Sequence, residues 1–383
     1  MRLIRLFLLS WATGLVQSDA VDDQLQVEED HNLTARAVPP TNGVHWTIHS
    51  SCRTDDQGQP DNAMRDAIIQ AVNDAKDRSK LTADRLEKWK KDCHSDRGNF
   101  MIGGENRIIK KACQLLLGDS KVTTFGKTAF QDKVDAAKTW YDAVAQIVGP
   151  VGQANNQFHV SQEWTALSQK DDHWLNFIIY CGPDLVQRMN PSTMVNQLYD
   201  QGQLRFVRDD KVHAAMRREY QADAFDNEDQ FANAVTDHNK EELSDFETID
   251  GKRVPLADRK HVAATITLHR LMLKKFRDRN FNIKSWDGDL DSALKMGAPG
   301  PTDTYAPIDH MVGLVGLLHH EMYHTPGLGM LSDKDQSIAY DWKNMEKNKD
   351  SELPEYLMFL ALLVELTDKK IQVHQDGTLS DRR

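Results

Sequence analysis

The stretch Pro307-Ile308-Asp309-His310-Met311-Val312-Gly313-Leu314-Val315-Gly316-Leu317-Leu318-His319-His320-Glu321-Met322-Tyr323-His324-Thr325-Pro326-Gly327 decides the reading of this chain. Pro307 suits the first turn of a helix, where its missing N–H costs nothing, and Asp309 is favourable near the positive helix end. Met311, Val312, Leu314, Val315, Leu317 and Leu318 make the helix apolar almost all round, which predicts that it is buried. Thr325-Pro326-Gly327 stops it directly after His324. Residues four apart on a helix share a face, so the imidazoles of His320 and His324 can reach one metal ion. Glu321 is turned partly aside, where it can hydrogen-bond a water instead of ligating. With 15 histidines in the chain, an HExxH pattern arises by chance roughly 0.03 times, so the signal is specific. The adjacent His319 falls on another face.

A catalytic zinc site needs a third protein ligand and keeps its fourth position for water. The pattern HExxHxxGxxH fails, because Met330 stands three residues after Gly327. Carboxylates follow at Asp333 and Asp335, in the loop released by the helix stop, and a carboxylate oxygen is an acceptable zinc ligand.

At His320-Glu321-Met322-Tyr323-His324, Ser332-Asp333-Lys334-Asp335 and Ala339-Tyr340-Asp341-Trp342 the sequence resembles the fungal deuterolysin-like (aspzincin) metallopeptidases and their lysine-specific metallo-endopeptidase relatives. Those families join HExxH to a downstream aspartate in a GTxDxxYG-type motif. Pro354-Glu355-Tyr356-Leu357-Met358-Phe359 looks like their later helix, and His49-Ser50-Ser51-Cys52 looks like the opening of such secreted proteins. The resemblance is strong over about residues 307 to 362 and weak elsewhere. It implies an α+β, zincin-like metallopeptidase fold with a helix-rich N-terminal part, a small mixed sheet and a buried HExxH helix. It further implies a zinc ion (Zn2+) held by His320, His324 and Asp333, with Asp335 as the alternative third ligand. Glu321 is then the general base for a zinc-activated water, and Tyr340 is the candidate stabiliser of the oxyanion. The chain departs from the pattern in three places: Ser337 falls at the third-ligand position when the motif is anchored on Tyr340, Asp341 replaces its glycine, and its Gly-Thr pair is missing. These departures motivate a second reading, a degenerate zincin that binds zinc or a protein partner without hydrolysis. A third is a secreted recognition domain without metal.

The remaining sequence fits an exported protein of this kind. Arg2 and Arg5 precede a short apolar run with Leu6, Phe7, Leu8, Leu9 and Trp11, and small residues follow at Ser18 and Ala20. Residues 1–20 therefore read as a signal peptide. Residues 21–43 are polar and acidic and read as a disordered leader or short propeptide, leaving 44–383 as one catalytic domain. Four cysteines follow the signal, an even number that suggests two disulfides with three connectivities open. Asn32-Leu33-Thr34 is a glycosylation sequon. The formal charge of −11 argues against a nucleic-acid partner. No later segment suggests a membrane span, so the expected partner is a protein or peptide substrate. Neither GxSxG nor a glycine-rich phosphate loop is present.

Periodicity predicts the elements around the motif. Met64, Ile68, Val72 and Ala75 mark one helix face, with separate helices expected at Lys80–Cys93 and Glu105–Leu117. Val134, Ala137, Tyr141, Val144 and Val148 mark another helix. Strands are expected at His45–Cys52, Phe158–Trp164, Trp174–Cys181 (apolar enough to be central) and Leu204–Arg208, with a hairpin about Asp250-Gly251. Lys260–Phe276 and Leu353–Leu366 read as helices, the latter buried.

Overall fold

The structure is a computed structural model. It describes residues 43–53, 62–92, 104–117, 123–124, 127–182, 186–187, 197–200, 203, 205–208, 234–237, 246–249, 252–255, 261–278, 286–300, 305–331, 341–348, 350 and 352–382. The signal, most of the leader and the Asn32 sequon fall on residues 1–42, outside the described residues.

Apolar strands and apolar helix faces account for the architecture, which is α+β. Phe177–Cys181 and Ala264–Leu268 are buried at every position, as strands covered on both faces must be. They form the middle of a four-stranded sheet whose order is Trp46–Ile48, Phe177–Cys181, Ala264–Leu268, Ala234–Asp237. The first three strands run parallel, and Ala234–Asp237 lies antiparallel at the edge. The central placement of the Trp174–Cys181 region agrees with its composition.

Against this sheet packs a layer of helices. Asn62–Asp92 is one continuous helix of 31 residues, so the two helices expected from the sequence are one. Its face Met64, Ile68, Val72 and Ala75 is buried as the spacing predicts. It packs on the helices Ala129–Ala145, Gly313–Tyr323 and Pro354–Asp368. The last is the expected C-terminal helix, buried almost throughout. Arg78 ties the first helix to it through Glu365 at 2.9 Å. A main core cluster runs from Val44 to Leu379 and takes in residues from every one of these helices.

Three further expectations are corrected. Phe158–Trp164 is not a strand but a 3-10 turn (Phe158–Val160) followed by a helix (Gln162–Ser168), because the Ser161 hydroxyl accepts from Trp164 N and caps it. Lys260–Phe276 divides into the strand Ala264–Leu268 and a helix Arg270–Asp278; Ala-Thr-Ile-Thr-Leu is β-branched and alternating, a pattern that tertiary pairing favours over helix. Val148 lies beyond the helix Ala129–Ala145, with its N–H bonded to Val44 O at 2.8 Å. The hairpin strands Phe246–Ile249 and Lys252–Pro255 do pair antiparallel, and Arg205–Arg208 is a strand of a separate three-stranded sheet.

Of the three possible disulfide connectivities, the structure joins Cys52 to Cys181, and Cys113 is disulfide-bonded as well. The Cys52–Cys181 bridge spans 129 residues of sequence. On a chain-entropy argument a loop of that size stabilises the fold by about 5 kcal/mol. Among the described residues no helix is long and apolar enough to cross a membrane.

Near this bridge His49 lies against His159, the rings tilted by 34° with centroids 4.1 Å apart, and meets Tyr180 edge-on. Burial, reinforced by the neighbouring His159, depresses the His49 pKa to about 3. His173, edge-on to Trp164, is lowered to about 4, chiefly by burial. A histidine whose folded pKa lies below its unfolded value contributes stability above about pH 6.5 that is lost as pH falls. Each of these two rings therefore removes a few kcal/mol between about pH 6.5 and pH 4. Urea unfolding at pH 7, 5.5 and 4 is expected to show a steep loss of stability. His49→Phe is expected to make that pH slope shallower, whatever its effect at pH 7; an unchanged slope would remove His49 from the account.

Candidate metal centre

The HExxH segment is an α-helix, Gly313–Tyr323, in which every residue from Leu314 to Tyr323 is buried. It does not begin at Pro307. Pro307–Met311 is a separate 3-10 turn, and the α-helix starts at Gly313, whose φ of 57° is the left-handed conformation that glycine adopts without strain. Asp309 consequently serves a different end from a helix-dipole partner. Its carboxylate accepts from Ala306 N and from Trp342 N at 2.9 Å, and burial pushes its pKa up to about 7.

The helix stops as the sequence predicts, and the way it stops builds the site. Thr325 Oγ1 donates to Met322 O, and His324 N donates to Glu321 O. Gly327 passes so close to the Leu175 carbonyl that a Cβ there would lie 2.2 Å from the oxygen. The chain then turns back so that Leu331 meets the helix end twice. Leu331 N donates to Tyr323 O at 2.9 Å, and Leu331 O accepts from His324 Nδ1 at 2.7 Å.

The two motif imidazoles point at each other, with His320 Nε2 and His324 Nε2 3.1 Å apart. Their protonation follows from their other contacts. A carbonyl oxygen can only accept, so His324 Nδ1 carries a proton. His320 Nδ1 lies 2.9 Å from Glu355 Oε2 and donates to that carboxylate. With both rings neutral the two Nε2 atoms are lone-pair nitrogens, and the contact is satisfied either by a proton on one of them or by a metal cation between them. Two nitrogens bound tetrahedrally to one zinc at 2.0–2.1 Å would be about 3.3 Å apart. The donor pair therefore fits a divalent ion of zinc's size. Its place at the negative end of the helix also favours a cation.

Glu355 is the second residue of the helix Pro354–Asp368, where proline and an acidic first turn suit the start. A carboxylate holding the remote nitrogen of a ligating histidine fixes its tautomer and ring orientation. Glu321 is the residue between the two imidazoles in the motif, and its carboxylate is engaged by the sheet. Its Oε2 accepts from Thr236 Oγ1 at 2.6 Å, so the edge strand of the sheet holds the carboxylate. His319 lies on the opposite face, as expected. Its Nε2 meets Ser79 Oγ at 2.8 Å and the Tyr323 hydroxyl at 2.9 Å. Burial, then the nearby Arg78, holds its pKa well below the usual histidine value.

Among the described residues no group of three or more His, Cys, Asp or Glu side chains converges as a metal cluster. The third-ligand candidates Asp333 and Asp335, the competing position Ser337 and the oxyanion candidate Tyr340 all lie outside the described residues. The structure brings His320 and His324 together, while the carboxylate of Glu321, the next residue on the helix, is held by Thr236. It adds Glu355 and Thr236, to which sequence reasoning gave no role. Pro354-Glu355 signals a helix start but names no partner, and no local signal links Thr236 to a residue 85 positions away.

The chain matches no family model, no curated protein and no solved structure.

If Glu355 orients His320, Glu355→Ala is expected to weaken zinc binding about 10- to 100-fold while the thermal midpoint of the metal-free protein changes little. Competition titration against a chromogenic chelator measures this. Unchanged affinity would show that the contact does not serve the metal.

Proposed function

We propose that the chain is a secreted, zinc-dependent metalloendopeptidase with a zincin-like catalytic domain. The observation that carries this reading is the pair of imidazole Nε2 atoms, 3.1 Å apart, each with its Nδ1 proton given to a fixed acceptor. His320 and His324 hold the zinc, and the third ligand is a carboxylate of the returning loop, Asp333 in preference to Asp335. Zinc bound there supplies Lewis acidity for a scissile carbonyl and lowers the pKa of a water towards 7.

The chain's own residues supply the rest. Glu321 accepts a proton from the attacking water and passes it to the leaving amine. Tyr340 donates to the oxyanion. Among the described residues Ala234–Asp237 is the outermost strand of the sheet, and the backbone of such an edge can take up an extended peptide as an added strand. The disulfides support an oxidising compartment, and the signal at residues 1–20 directs the chain there.

The test is metal analysis joined to cleavage of denatured casein. Wild type is expected to carry one zinc per chain and to lose activity on chelation. Glu321→Ala is expected to keep its zinc and to lose roughly 100- to 10,000-fold in kcat. Full activity in that variant would remove Glu321 from the reaction. Stoichiometric zinc without cleavage would favour the non-hydrolytic alternative, and a chain that takes up no zinc would exclude both.

A further inference from the structure

Glu321 is useful as a base only if its carboxylate is held in one orientation, and one contact can do that. Thr236 lies on the edge strand Ala234–Asp237, directly opposite Ile266 in the antiparallel ladder. Opposed residues send their side chains to the same face of a sheet. Ile266 is fully buried within the main core cluster, which also contains Leu314, Leu317 and Leu318 of the motif helix. Thr236 thus belongs to the face that the helix covers. Its hydroxyl has one proton and two oxygens of Glu321 within reach, Oε2 at 2.6 Å and the backbone O at 3.1 Å. That backbone oxygen already accepts from His324 N. The shorter contact is with the better acceptor, and a hydroxyl-to-carboxylate bond of this length is charge-assisted.

We propose that Thr236 is a positioning residue: its hydroxyl clamps Oε2 of Glu321 and leaves Oε1 to take the proton. This deepens the peptidase reading and rests on it. One consequence follows from the strand's place in the fold. The strand that anchors the base is the one whose outer edge would receive the peptide, so seating of substrate and aim of the base share one element. The side chain must combine a hydroxyl with a β-branched shape that suits a strand, and threonine meets both needs.

The experiment uses the full-length protein with Thr236→Val, which keeps shape and removes the hydroxyl, and Thr236→Ser, which restores the hydroxyl. Thr236→Val is expected to lower kcat about 10- to 100-fold, the range typical of residues that orient a metal site. KM and zinc affinity are expected to stay near wild type. Thr236→Ser is expected to recover most of the loss. A Thr236→Val enzyme with undiminished kcat, or a loss that serine does not repair, overturns the proposal. A second readout does not need activity. In urea unfolding, Thr236→Val is expected to destabilise the wild-type background more than the Glu321→Ala background, because the bond is absent from the latter. Strict additivity would show that the hydroxyl serves only the backbone carbonyl and would also overturn the proposal. If coupling is found while wild type cleaves nothing, the clamp stands and the peptidase reading fails.

Discussion

Two imidazole nitrogens facing each other at 3.1 Å need a proton or a metal cation between them, and the surrounding structure is arranged to keep them there. Each imidazole is fixed from behind by a different part of the chain. Glu355 reaches His320 from the first turn of the C-terminal helix, and the Leu331 carbonyl reaches His324 from the returning loop. The His320 ring cannot rotate away without leaving a buried donor without its acceptor, at a cost of about 1–3 kcal/mol. A preorganised pair of this kind lets binding proceed without first ordering the ligands.

Rigidity at the ligands is inherited from packing. The motif helix has no solvent face from Leu314 to Tyr323, and it is wedged between the first helix, the C-terminal helix and the edge strand. Gly316 leaves room for the C-terminal helix: a Cβ there would come within 3.3 Å of Met358 Sδ, and within 2.5 Å of Val312 at the start of its own helix. On the core side, His319 stays neutral between Ser79 and Tyr323. A neutral, hydrogen-bonded His319 adds no positive charge behind the two imidazoles, where it would oppose a bound cation.

The sequence and the structure agree where the physics is local. Burial of the motif helix follows from its composition, its stop follows from Thr325-Pro326-Gly327, and the central strand follows from its apolar run. The misreadings arise where local preference was overruled. Phe158–Trp164 looks extended until Ser161 caps a short helix, and Lys260–Phe276 looks helical until Ala264–Leu268 finds two strand partners. Pro307 and Asp309 have the composition of a start to the motif helix, but Gly313 resets the backbone between them and the motif. The site residues divide in the same way. His320, Glu321 and His324 are legible because their spacing is itself the signal. Glu355 and Thr236 act across 35 and 85 residues of sequence, and a contact of that range leaves no periodic trace.

The two supports differ in chemistry, and the difference suits the roles. A carboxylate behind His320 places negative charge on the imidazole and makes its Nε2 a stronger donor to a metal. A neutral carbonyl behind His324 orients the ring with less electronic effect. For Glu321 the reverse choice is required. A cationic partner would stabilise the ionised carboxylate and weaken it as a proton acceptor, whereas a hydroxyl fixes its orientation with a smaller effect on basicity. Thr236 is such a partner. On the proposed peptidase reading, His320 would gain donor strength from its carboxylate while Glu321 would be aimed by a neutral hydroxyl, both within one turn of helix.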